Sequence, residues 1–382
     1  MRILHVITTL DVGGAEMHLL SQVRGQTERG HQVRVCYLKG AGSLEPDFLR
    51  AGAREVCATG SGPAAVGRLW SRMRAADVVH THLLKADALG AVVAALAGRR
   101  SGLVASKHND EQVLRRPLVS RVHGLVGSLP RRTIVLSDHV GGFVERYGRV
   151  PRERQTRIYY GIDPAPFERA AADAAADPAA RAALRAELGC GPDDLVLVCV
   201  ARFAPQKAHD VLLRAFARAR ETVGELRLWL VGDDPFGDGR RKAEAVAREL
   251  GLEGCTFAGI RRDVPQVLAA ADVFCMTSLW EGLGLVFLEA MAAGLPVVAS
   301  RVSAVPEVVV AGETGLLAPA GDAEAFAAAF VELARDPDRR RAMGLAGRRR
   351  VHERFGLDRM VEATLEVYEA LGPFQARPPG RR

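Results

Sequence analysis

The chain has 382 residues, of which 48% are hydrophobic and 25% charged, a composition typical of globular proteins that excludes a disordered or fibrous one. This length predicts two domains, since single domains hold roughly 100–200 residues. The net charge of +7 is uneven: residues 1–165 hold 24 Lys and Arg against 14 Asp and Glu, and the remainder holds 28 against 31. The basic half indicates either an anionic partner or a generally arginine-rich composition. Aromatic residues make up only 5%, too few for base-stacking surfaces, so we expect no nucleic acid partner.

The chain gives no sign of a membrane-spanning or secreted protein. Its longest apolar stretch, Ala88–Gly98, is too short to cross a bilayer. The N-terminal MRILHVITTL lacks a following small-residue cleavage site and predicts a buried strand rather than a signal peptide. Six scattered cysteines without a C-x-x-C pair disfavour a disulfide framework and a zinc site. We therefore expect a cytoplasmic protein.

Short apolar runs alternate with amphipathic stretches of helical length along the whole chain. This alternation predicts an α/β fold with parallel sheets that are covered on both faces. The predicted strands are Ile3–Ile7, Val33–Leu38, Asp77–Thr81, Leu103–Ser106, Thr133–Leu136, Leu195–Ala201, Arg227–Val231, Cys255–Ala258, Val273–Met276 and Pro296–Ser300.

An Ala/Asp/Arg-rich stretch, Ala170–Ala186, separates the two arrays of strands and is flanked by Pro and Gly residues. We place an interdomain linker at 165–190, since composition shifts there and turn residues cluster. The predicted domains are 1–165 and 190–355, followed by a C-terminal helix at 356–372 and a disordered tail at 373–382.

Parallel sheets bind ligands at the carboxyl ends of their strands, so motifs that follow strands are the candidates for chemistry. After the first strand, Gly13 and Gly14 open a helix, where backbone can approach an anion. A tight turn without a ligand explains this pair equally well. The motif is not G-x-G-x-x-G, so the dinucleotide fingerprint is missing.

Basic residues follow the first strand of the second array in R-F-A-P-Q-K, residues 202–207. Arg202 and Lys207 could converge on one phosphate, Arg as a bidentate fork and Lys as a mobile charge. Two solvated surface charges remain the alternative.

The strongest local signal is W-E-G-L-G-L-V-F-L-E-A-M-A-A-G-L-P-V-V-A-S, residues 280–300. Glu281 precedes a Gly-x-Gly turn, and a helix is predicted from Leu285 to Ala293 with Gly294 after its end. Glu289 lies one turn after Leu285. Free N–H groups suit phosphate and carboxylates suit sugar or ribose hydroxyls, so the segment predicts a nucleotide-sugar pocket. A helix-dipole charge at Glu281 and a solvated face at Glu289 are the alternatives.

These motifs together resemble the retaining glycosyltransferases of family 4, which have the GT-B fold. The resemblance rests on G-G-A-E, R-x4-K, and E-G-x-G-x-x-x-x-E with the following A-M-A-x-G-x-P-V-V-A-S. It extends to R-D-V-P-Q-V-L-A-A-A-D-V-F (262–274) and E-V-V-V-A-G-E-T-G-L-L-A-P (307–319). One departure is Ala208, where the family commonly has glycine.

The resemblance implies two facing Rossmann-like doubly wound domains with an interdomain cleft, and a final helix near Leu357–Leu371 that crosses back to the first domain. It implies a nucleoside diphosphate sugar donor, UDP- or GDP-linked, and an acceptor hydroxyl on a glycan, lipid-linked or small molecule. The implied catalytic residues are Glu281, His108, Lys207 and Arg202. The implied donor-binding residues are Gly13, Gly14, Arg202, Lys207, Ile260, Arg261, Glu281, Gly282, Leu283, Gly284, Leu285 and Glu289.

Within this resemblance, Arg202 and Lys207 would neutralise the diphosphate, Glu289 would hold the ribose and Glu281 the sugar hydroxyls. Departure of the diphosphate then needs no metal, and we expect front-face attack with retention. The metal-binding D-x-D string of other transferases occurs only at Asp336–Asp338, where it predicts a turn.

The histidines receive plain interpretations. His80 and His82 share one face of a strand, but no third ligand is spaced nearby, so we expect no metal. We expect six further histidines at the surface or in supporting positions: His18, His31, His123, His139, His209 and His352.

Residues 111–132 mix five arginines with apolar residues. Such a segment can lie on an anionic membrane and would suit a lipid-linked acceptor. A core-packed helix with a wet basic face is slightly favoured over this membrane hypothesis.

Other functions remain as alternatives. A sugar-nucleotide epimerase or hydrolase has the same fold, and a non-catalytic carbohydrate-binding protein would need neither the glutamates nor the basic residues. An NAD dehydrogenase is disfavoured by the missing fingerprint, and nothing in the sequence indicates a pyridoxal lysine or another cofactor.

Overall fold

The computed structural model of the protein describes residues 1–60, 63–234 and 237–372. The chain forms two compact units. The first comprises Met1–Ile162 together with the C-terminal segment from Leu357, and the second comprises Asp163–Gly356. The tail predicted at 373–382 lies outside the described residues.

The first unit is a seven-stranded parallel sheet with strand order β3-β2-β1-β4-β5-β6-β7. Its strands are β1 Arg2–Ile7, β2 Gln32–Tyr37, β3 Glu55–Ala58, β4 Val78–His82, β5 Leu103–Lys107, β6 Arg132–Val135 and β7 Gln155–Arg157. Its helices are α1 Gly14–Glu28, α2 Glu45–Arg50, α3 Pro63–Ala75, α4 Leu84–Leu96, α5 Pro117–Gly127, α6 Asp138–Arg146 and α16 Leu357–Glu369.

The second unit is a six-stranded parallel sheet with strand order β10-β9-β8-β11-β12-β13. Its strands are β8 Leu195–Val200, β9 Leu226–Val231, β10 Cys255–Gly259, β11 Val273–Met276, β12 Val297–Ser300 and β13 Gly315–Ala318. Its helices are α7 Ala165–Ala176, α8 Pro178–Glu187, α9 His209–Thr222, α10 Gly239–Glu249, α11 Val264–Ala270, α12 Leu285–Ala292, α13 Val305–Val308, α14 Ala323–Arg335 and α15 Pro337–Arg354.

Alternate residues of the first strand enter different apolar cores. Ile3 and Ile7 pack with α1, α2 and α16, whereas Leu4 and Val6 pack with α3 and α4. Both faces of the sheet are therefore covered, which is why nearly every residue of its central strands β1, β4 and β5 is buried.

The segment predicted as the linker, 165–190, instead forms α7 and α8, which belong to the second unit. Arg185 of α8 is buried and donates to the carbonyl of Ala270 at 2.9 Å and to Asp272 Oδ2 at 2.7 Å. The charged composition that suggested a linker thus includes an arginine that anchors the helix to the end of α11 and the start of β11.

The last helix, α16, packs in the core of the first unit through Met360, Val361 and Tyr368. It approaches α1 closely, because a Cβ at Gly25 would lie 2.6 Å from a methyl of Val361. No helix among the described residues is both long and apolar enough to cross a bilayer.

Candidate functional site

The carboxyl ends of neighbouring strands β8 and β11 bring two predicted site residues into direct contact. Lys207 ends the short turn that follows β8, and Glu281 lies in the loop after β11. The Lys207 Nζ and Glu281 Oε1 atoms are 2.5 Å apart, and the side chains are 13% and 6% exposed. Ser278 Oγ donates to the same carboxylate oxygen at 2.6 Å. The result is a desolvated, charge-assisted contact at the edge where ligands bind in such sheets.

Hydrogen bonds between the two loops hold this contact in place. Gln206 Nε2 donates to the carbonyl of Trp280 at 2.6 Å, and the N–H of Leu279 donates to the carbonyl of Gln206 at 2.8 Å. Thr277 Oγ1 donates to the carbonyl of Ala208 at 2.9 Å. The sequence reasoning missed Ser278 and Gln206. The polar pair Thr277–Ser278 directly after the buried strand β11 could have pointed to Ser278, whereas Gln206 lies inside R-F-A-P-Q-K with no separate signal of its own.

Ala208 has the left-handed backbone conformation, with φ +47° and ψ +51°, and caps α9. This is the position at which the sequence departs from glycine. The loop therefore keeps the backbone conformation that glycine favours. Because residue 208 is alanine, this conformation carries a steric cost.

Arg202, on the same loop, is exposed. Across residues 1–60, 63–234 and 237–372 its guanidinium forms no ion pair or hydrogen bond. The positive charge therefore remains open to an anion, in contrast to that of Lys207.

Helix α12 begins directly after the Glu281 loop, with Gly284 at its N-cap position. Gly284 has φ +82°, and a Cβ there would lie 2.5 Å from Cδ2 of Phe287. Gly284 has no side chain to cap the helix, so the N–H groups of Leu285 and Val286 are available to an anion, whereas that of Phe287 donates to the Gly284 carbonyl at 3.1 Å. The turn residues Gly282 and Leu283 lie between Glu281 and this helix end, and Leu283 is buried.

Glu289 lies on α12 one turn after Leu285 and is half-buried. Desolvation raises the pKa of its carboxyl group to about 7. The group is therefore poised between the carboxylate and the acid at neutral pH, which distinguishes it from a solvated surface glutamate.

The structure changes the interpretation of the segment after β10. Ile260 is 69% exposed at the strand's end. Arg261 Nη2 lies 2.5 Å from Asp263 Oδ2, and the guanidinium also contacts the carboxylate of Glu187. These carboxylates raise the pKa of Arg261 and neutralise its charge locally. Arg261 therefore holds this turn in place, and the side chain of Ile260 beside it remains exposed and available for contact with a ligand.

In the first unit, the predicted glycine pair begins α1. A Cβ at Gly13 would lie 2.5 Å from Oε2 of Glu16, whereas one at Gly14 would meet nothing within 4 Å. Glu16 is buried and accepts a 2.6 Å hydrogen bond from Thr9 Oγ1. Gly13 therefore makes room for a buried carboxylate, which the sequence reasoning did not single out although it quoted G-G-A-E.

His108 follows β5 and is buried, with both ring nitrogens in contact with other side chains. Its Nε2 lies 3.0 Å from His82 Nδ1, and its Nδ1 lies 2.9 Å from the hydroxyl of Tyr160. Desolvation lowers the pKa of His108 to about 4, so the ring is neutral at pH 7. The structure therefore places His108 within a hydrogen-bonded chain and not as a free imidazole.

The pair His80 and His82 has a third histidine beside it that the sequence spacing did not reveal. His5 is the register partner of His80 on the neighbouring strand β1. One ligand atom from each of the three lies within 4.8 Å of the others. Strand pairing, not sequence spacing, creates this cluster.

Three further histidines are also buried, namely His18, His123 and His209. The D-x-D string was predicted as a turn, but it lies at the start of a helix: Asp336 accepts a 2.9 Å hydrogen bond from the N–H of Arg339 at the beginning of α15.

Comparisons with known proteins match both halves of the chain to glycosyltransferase families. The family described as glycosyl transferases group 1 matches residues 194–336, and the family described as Glycosyltransferase Family 4 matches residues 12–166. The GDP-mannose-dependent alpha-(1-6)-phosphatidylinositol monomannoside mannosyltransferase of Mycolicibacterium smegmatis is 33% identical over 88% of this chain and 89% of that protein. The D-inositol 3-phosphate glycosyltransferase of Streptomyces scabiei is 30% identical over 96% of this chain and 88% of that protein.

Solved structures confirm the predicted fold class. The crystal structure of Anabaena Alr3699/HepE in complex with UDP and glucose has a TM-score of 0.85, covering 97% of this chain and 100% of that one at 22% identity. Sucrose-phosphate synthase from Thermosynechococcus elongatus has a TM-score of 0.78, covering 97% of this chain and 99% of that one at 23% identity.

Proposed function

This chain belongs to the family 4 glycosyltransferases, and on that premise we propose that it transfers a hexose, with retention and without a metal, from a nucleoside diphosphate sugar to an acceptor hydroxyl. The observation that carries this proposal is the buried Lys207–Glu281 contact beside the open charge of Arg202 and the uncapped start of α12. This arrangement places cations, N–H donors, and carboxylates that accept hydrogen bonds from hydroxyl groups at one edge of the sheet.

Each group has a chemical task in donor binding. Arg202, the first N–H groups of α12 and the N–H donors of Lys207 that do not contact Glu281 bind the diphosphate, whose oxygens only accept hydrogen bonds. The carboxylate of Glu281 accepts from hydroxyls of the donor sugar, and that of Glu289 accepts from the ribose diol. Ile260 packs against the base.

The transfer step breaks the bond between the anomeric carbon and the diphosphate oxygen and forms a bond from that carbon to the acceptor oxygen. Negative charge develops on the departing diphosphate, and fixed cations and N–H dipoles stabilise it without reorganisation. The departing oxygen takes the proton of the acceptor hydroxyl, so attack occurs on the face that the leaving group vacates. This gives retention with no enzyme nucleophile.

The donor is proposed to carry UDP or GDP. The Mycolicibacterium relative is named for GDP-mannose, and the Anabaena structure contains UDP and glucose. Thermal-shift screening of UDP- and GDP-sugars, followed by an assay of donor hydrolysis, identifies the donor and separates a transferase from a binding protein. Proton NMR during the first turnovers shows which anomer of the sugar is released by donor hydrolysis. Release of the retained anomer supports front-face attack, and release of the inverted anomer contradicts it.

Variants of the central contact test the proposal. Lys207→Ala and Glu281→Gln are expected to lower turnover by about 100-fold or more, as loss of a group that stabilises the transition state does. Arg248→Ala and Glu225→Gln remove exposed charges of the same kinds away from these loops and should keep wild-type turnover. Near-wild-type turnover in folded Lys207→Ala or Glu281→Gln contradicts the proposed role of that residue.

The acceptor is proposed to be lipid-linked, with the protein held peripherally at an anionic membrane. Leu118, Val122 and Leu125 lie on one face of α5 and are 72%, 55% and 75% exposed, so this face is not packed into a core. Arg121 lies beside them on the same helix, and Arg116 precedes it; both are exposed. An apolar stripe flanked by arginines suits the boundary between acyl chains and acidic headgroups.

Vesicle flotation tests this surface. The protein should float with vesicles containing phosphatidylglycerol and not with phosphatidylcholine alone, and the double variant Leu118→Ser/Leu125→Ser should remain at the bottom. Leu345→Ser, which removes a half-exposed leucine from α15, is the control and should float. Absence of the wild type from acidic vesicles at low salt contradicts the membrane proposal.

A further inference from the structure

A buried chain of hydrogen bonds runs through the core of the first unit. The Tyr160 hydroxyl lies 2.9 Å from His108 Nδ1, and His108 Nε2 lies 3.0 Å from His82 Nδ1. His82 Nε2 lies 3.0 Å from His5 Nδ1, and His5 Nε2 lies 2.9 Å from Gln26 Oε1. All five side chains are at most 6% exposed. We call these residues the histidine chain.

All three imidazoles in the histidine chain are neutral at pH 7. Desolvation lowers the pKa of His5 and His108 to about 4, and that of His82 well below its usual value. A neutral imidazole donates from one nitrogen and accepts at the other. A ring that accepts a hydrogen bond from one neighbour must therefore donate one to the other neighbour. As a result, all three rings have the same tautomer.

The Gln26 amide sets that direction. Its oxygen only accepts, so His5 donates from Nε2 and accepts at Nδ1. His82 then donates from Nε2 to His5, and His108 donates from Nε2 to His82. The Nδ1 atom of His108 is left to accept the Tyr160 hydroxyl.

The last helix holds the Gln26 end of the histidine chain. Gln26 Nε2 donates to the Tyr368 hydroxyl at 3.4 Å, and that hydroxyl lies 2.6 Å from His80 Nδ1. His80 Nε2 lies 2.7 Å from Ser106 Oγ. With the amide in this orientation, Tyr368 accepts from Gln26 and donates to His80, which in turn donates to Ser106.

We propose that Gln26, His5 and His82 are positioning residues: they fix His108 as the Nε2–H tautomer, with its Nδ1 lone pair directed at Tyr160. The histidine chain ends on an amide, which does not take up a proton, so it orients His108 and does not conduct protons away. The order of tautomers follows from the hydrogen-bond geometry and from the neutral state of the buried rings, and does not depend on the proposed function. Its bearing on catalysis rests on the proposed function, because the family resemblance makes His108 a candidate catalytic residue of that transfer reaction.

The histidine chain shares His5 and His82 with the cluster of His5, His80 and His82. A neutral imidazole has one lone-pair nitrogen, and in the histidine chain that nitrogen of His5 is Nδ1, which accepts from His82. Metal binding and the ordered chain are therefore exclusive alternatives that one measurement separates.

Two-bond nitrogen–proton correlation spectra of 15N-histidine-labelled full-length protein at pH 7.5 test the inference. Signals are assigned by single substitution of the histidines outside the histidine chain. We expect His5, His82 and His108 all as the Nε2–H tautomer, unchanged by one equivalent of Zn²⁺. A different tautomer among the three, an imidazolium, or a zinc-shifted His5 signal overturns it.

Variants of Gln26 separate positioning from packing. Gln26→Leu removes the acceptor and should mix the tautomers and lower kcat about tenfold, while the KM for the donor stays unchanged. Gln26→Glu restores an acceptor and should restore one tautomer and most of kcat. Mixed tautomers with wild-type kcat overturn the positioning role.

Tyr368→Phe serves if Gln26→Leu does not fold, because it removes only the hydroxyl that holds the amide. It should mix the tautomers in the same way, and unmixed tautomers in this variant contradict the part assigned to the last helix. If the wild-type protein transfers no sugar, the spectra still decide the tautomer order, so failure of the proposed function is distinguishable from failure of the ordered chain.

Discussion

At the scale of single residues, the contact between Lys207 and Glu281 combines two charges that are nearly withdrawn from water. Removal of one partner leaves the other charge poorly compensated, so each substitution also displaces the residue that remains. Ser278 binds the same carboxylate oxygen and limits its movement. Losses of activity at Lys207 and Glu281 should therefore not be additive in the double variant.

The backbone at Ala208 supplies a stability prediction. Ala208→Gly and Ala215→Gly each remove a buried methyl group at or near α9, but only Ala208 has a positive φ. Glycine relieves strain at 208 and costs helix stability at 215, so the first substitution should be about 2 kcal/mol less destabilising. Urea unfolding measures both. Equal losses would show that residue 208 is not strained in solution.

The pKa of Glu289 predicts the pH dependence of nucleotide binding. Desolvation raises that pKa to about 7, so the carboxylate prevails above pH 7 and the neutral acid below it. In the proposed donor site the ribose diol donates two hydrogen bonds to the Glu289 carboxylate, so binding favours the ionised form and the Kd should rise as pH falls from 8 to 6.

Titration calorimetry with the preferred nucleoside diphosphate measures this dependence, and Glu289→Gln is the matched control. The control should bind more weakly and show a flatter profile over the same range. If the dependence of Kd on pH is the same for the wild type and for Glu289→Gln, Glu289 does not bind the ribose.

At the scale of elements, the start of α12 requires glycine at position 284 for two reasons, a positive φ and a lack of space for a Cβ. Gly284 and Gly321 have similar φ values of +82° and +78°, but only Gly284 has an aromatic ring where a Cβ would lie. Gly321→Ala should lose roughly 1 kcal/mol of stability through φ alone and keep its nucleotide affinity.

Gly284→Ala should lose more stability and weaken nucleotide binding at least tenfold, because Phe287 or the helix start must move. Thermal unfolding and calorimetry of the two alanine variants measure the difference. Equal nucleotide affinity in both variants would exclude the α12 start from the diphosphate site.

The elements themselves were predictable where they are buried on both sides. All ten predicted strands are present, and the three that were missed, β3, β7 and β13, are edge strands. An edge strand has one neighbour and partial exposure, so β7, with the sequence Gln-Thr-Arg, carries no apolar run. The amphipathic α8 was read as linker since its buried Arg185 is a charged residue whose partners lie far along the chain.

At the scale of the whole molecule, local motifs indicated candidate residues in each loop but not the groups that hold those residues in place. E-G-x-G and R-x4-K could be read from the sequence, whereas the pairing of Lys207 with Glu281 depends on β8 and β11 being neighbours. The histidine chain joins β1, α1, β4 and the segments after β5 and β7, which only the folded sheet brings together. Spacing arguments fail there because 75 residues separate His5 from its register partner His80.

The central claim is that fixed protein charges, not a divalent ion, stabilise the departing diphosphate. The most direct test compares initial rates of sugar release from the preferred donor in metal-stripped buffer with 5 mM EDTA and in the same buffer with excess Mg²⁺. The account predicts equal wild-type rates in both buffers and a loss of about 100-fold or more in Lys207→Ala under each condition. Loss of the wild-type rate in EDTA, with recovery on addition of Mg²⁺, would contradict it.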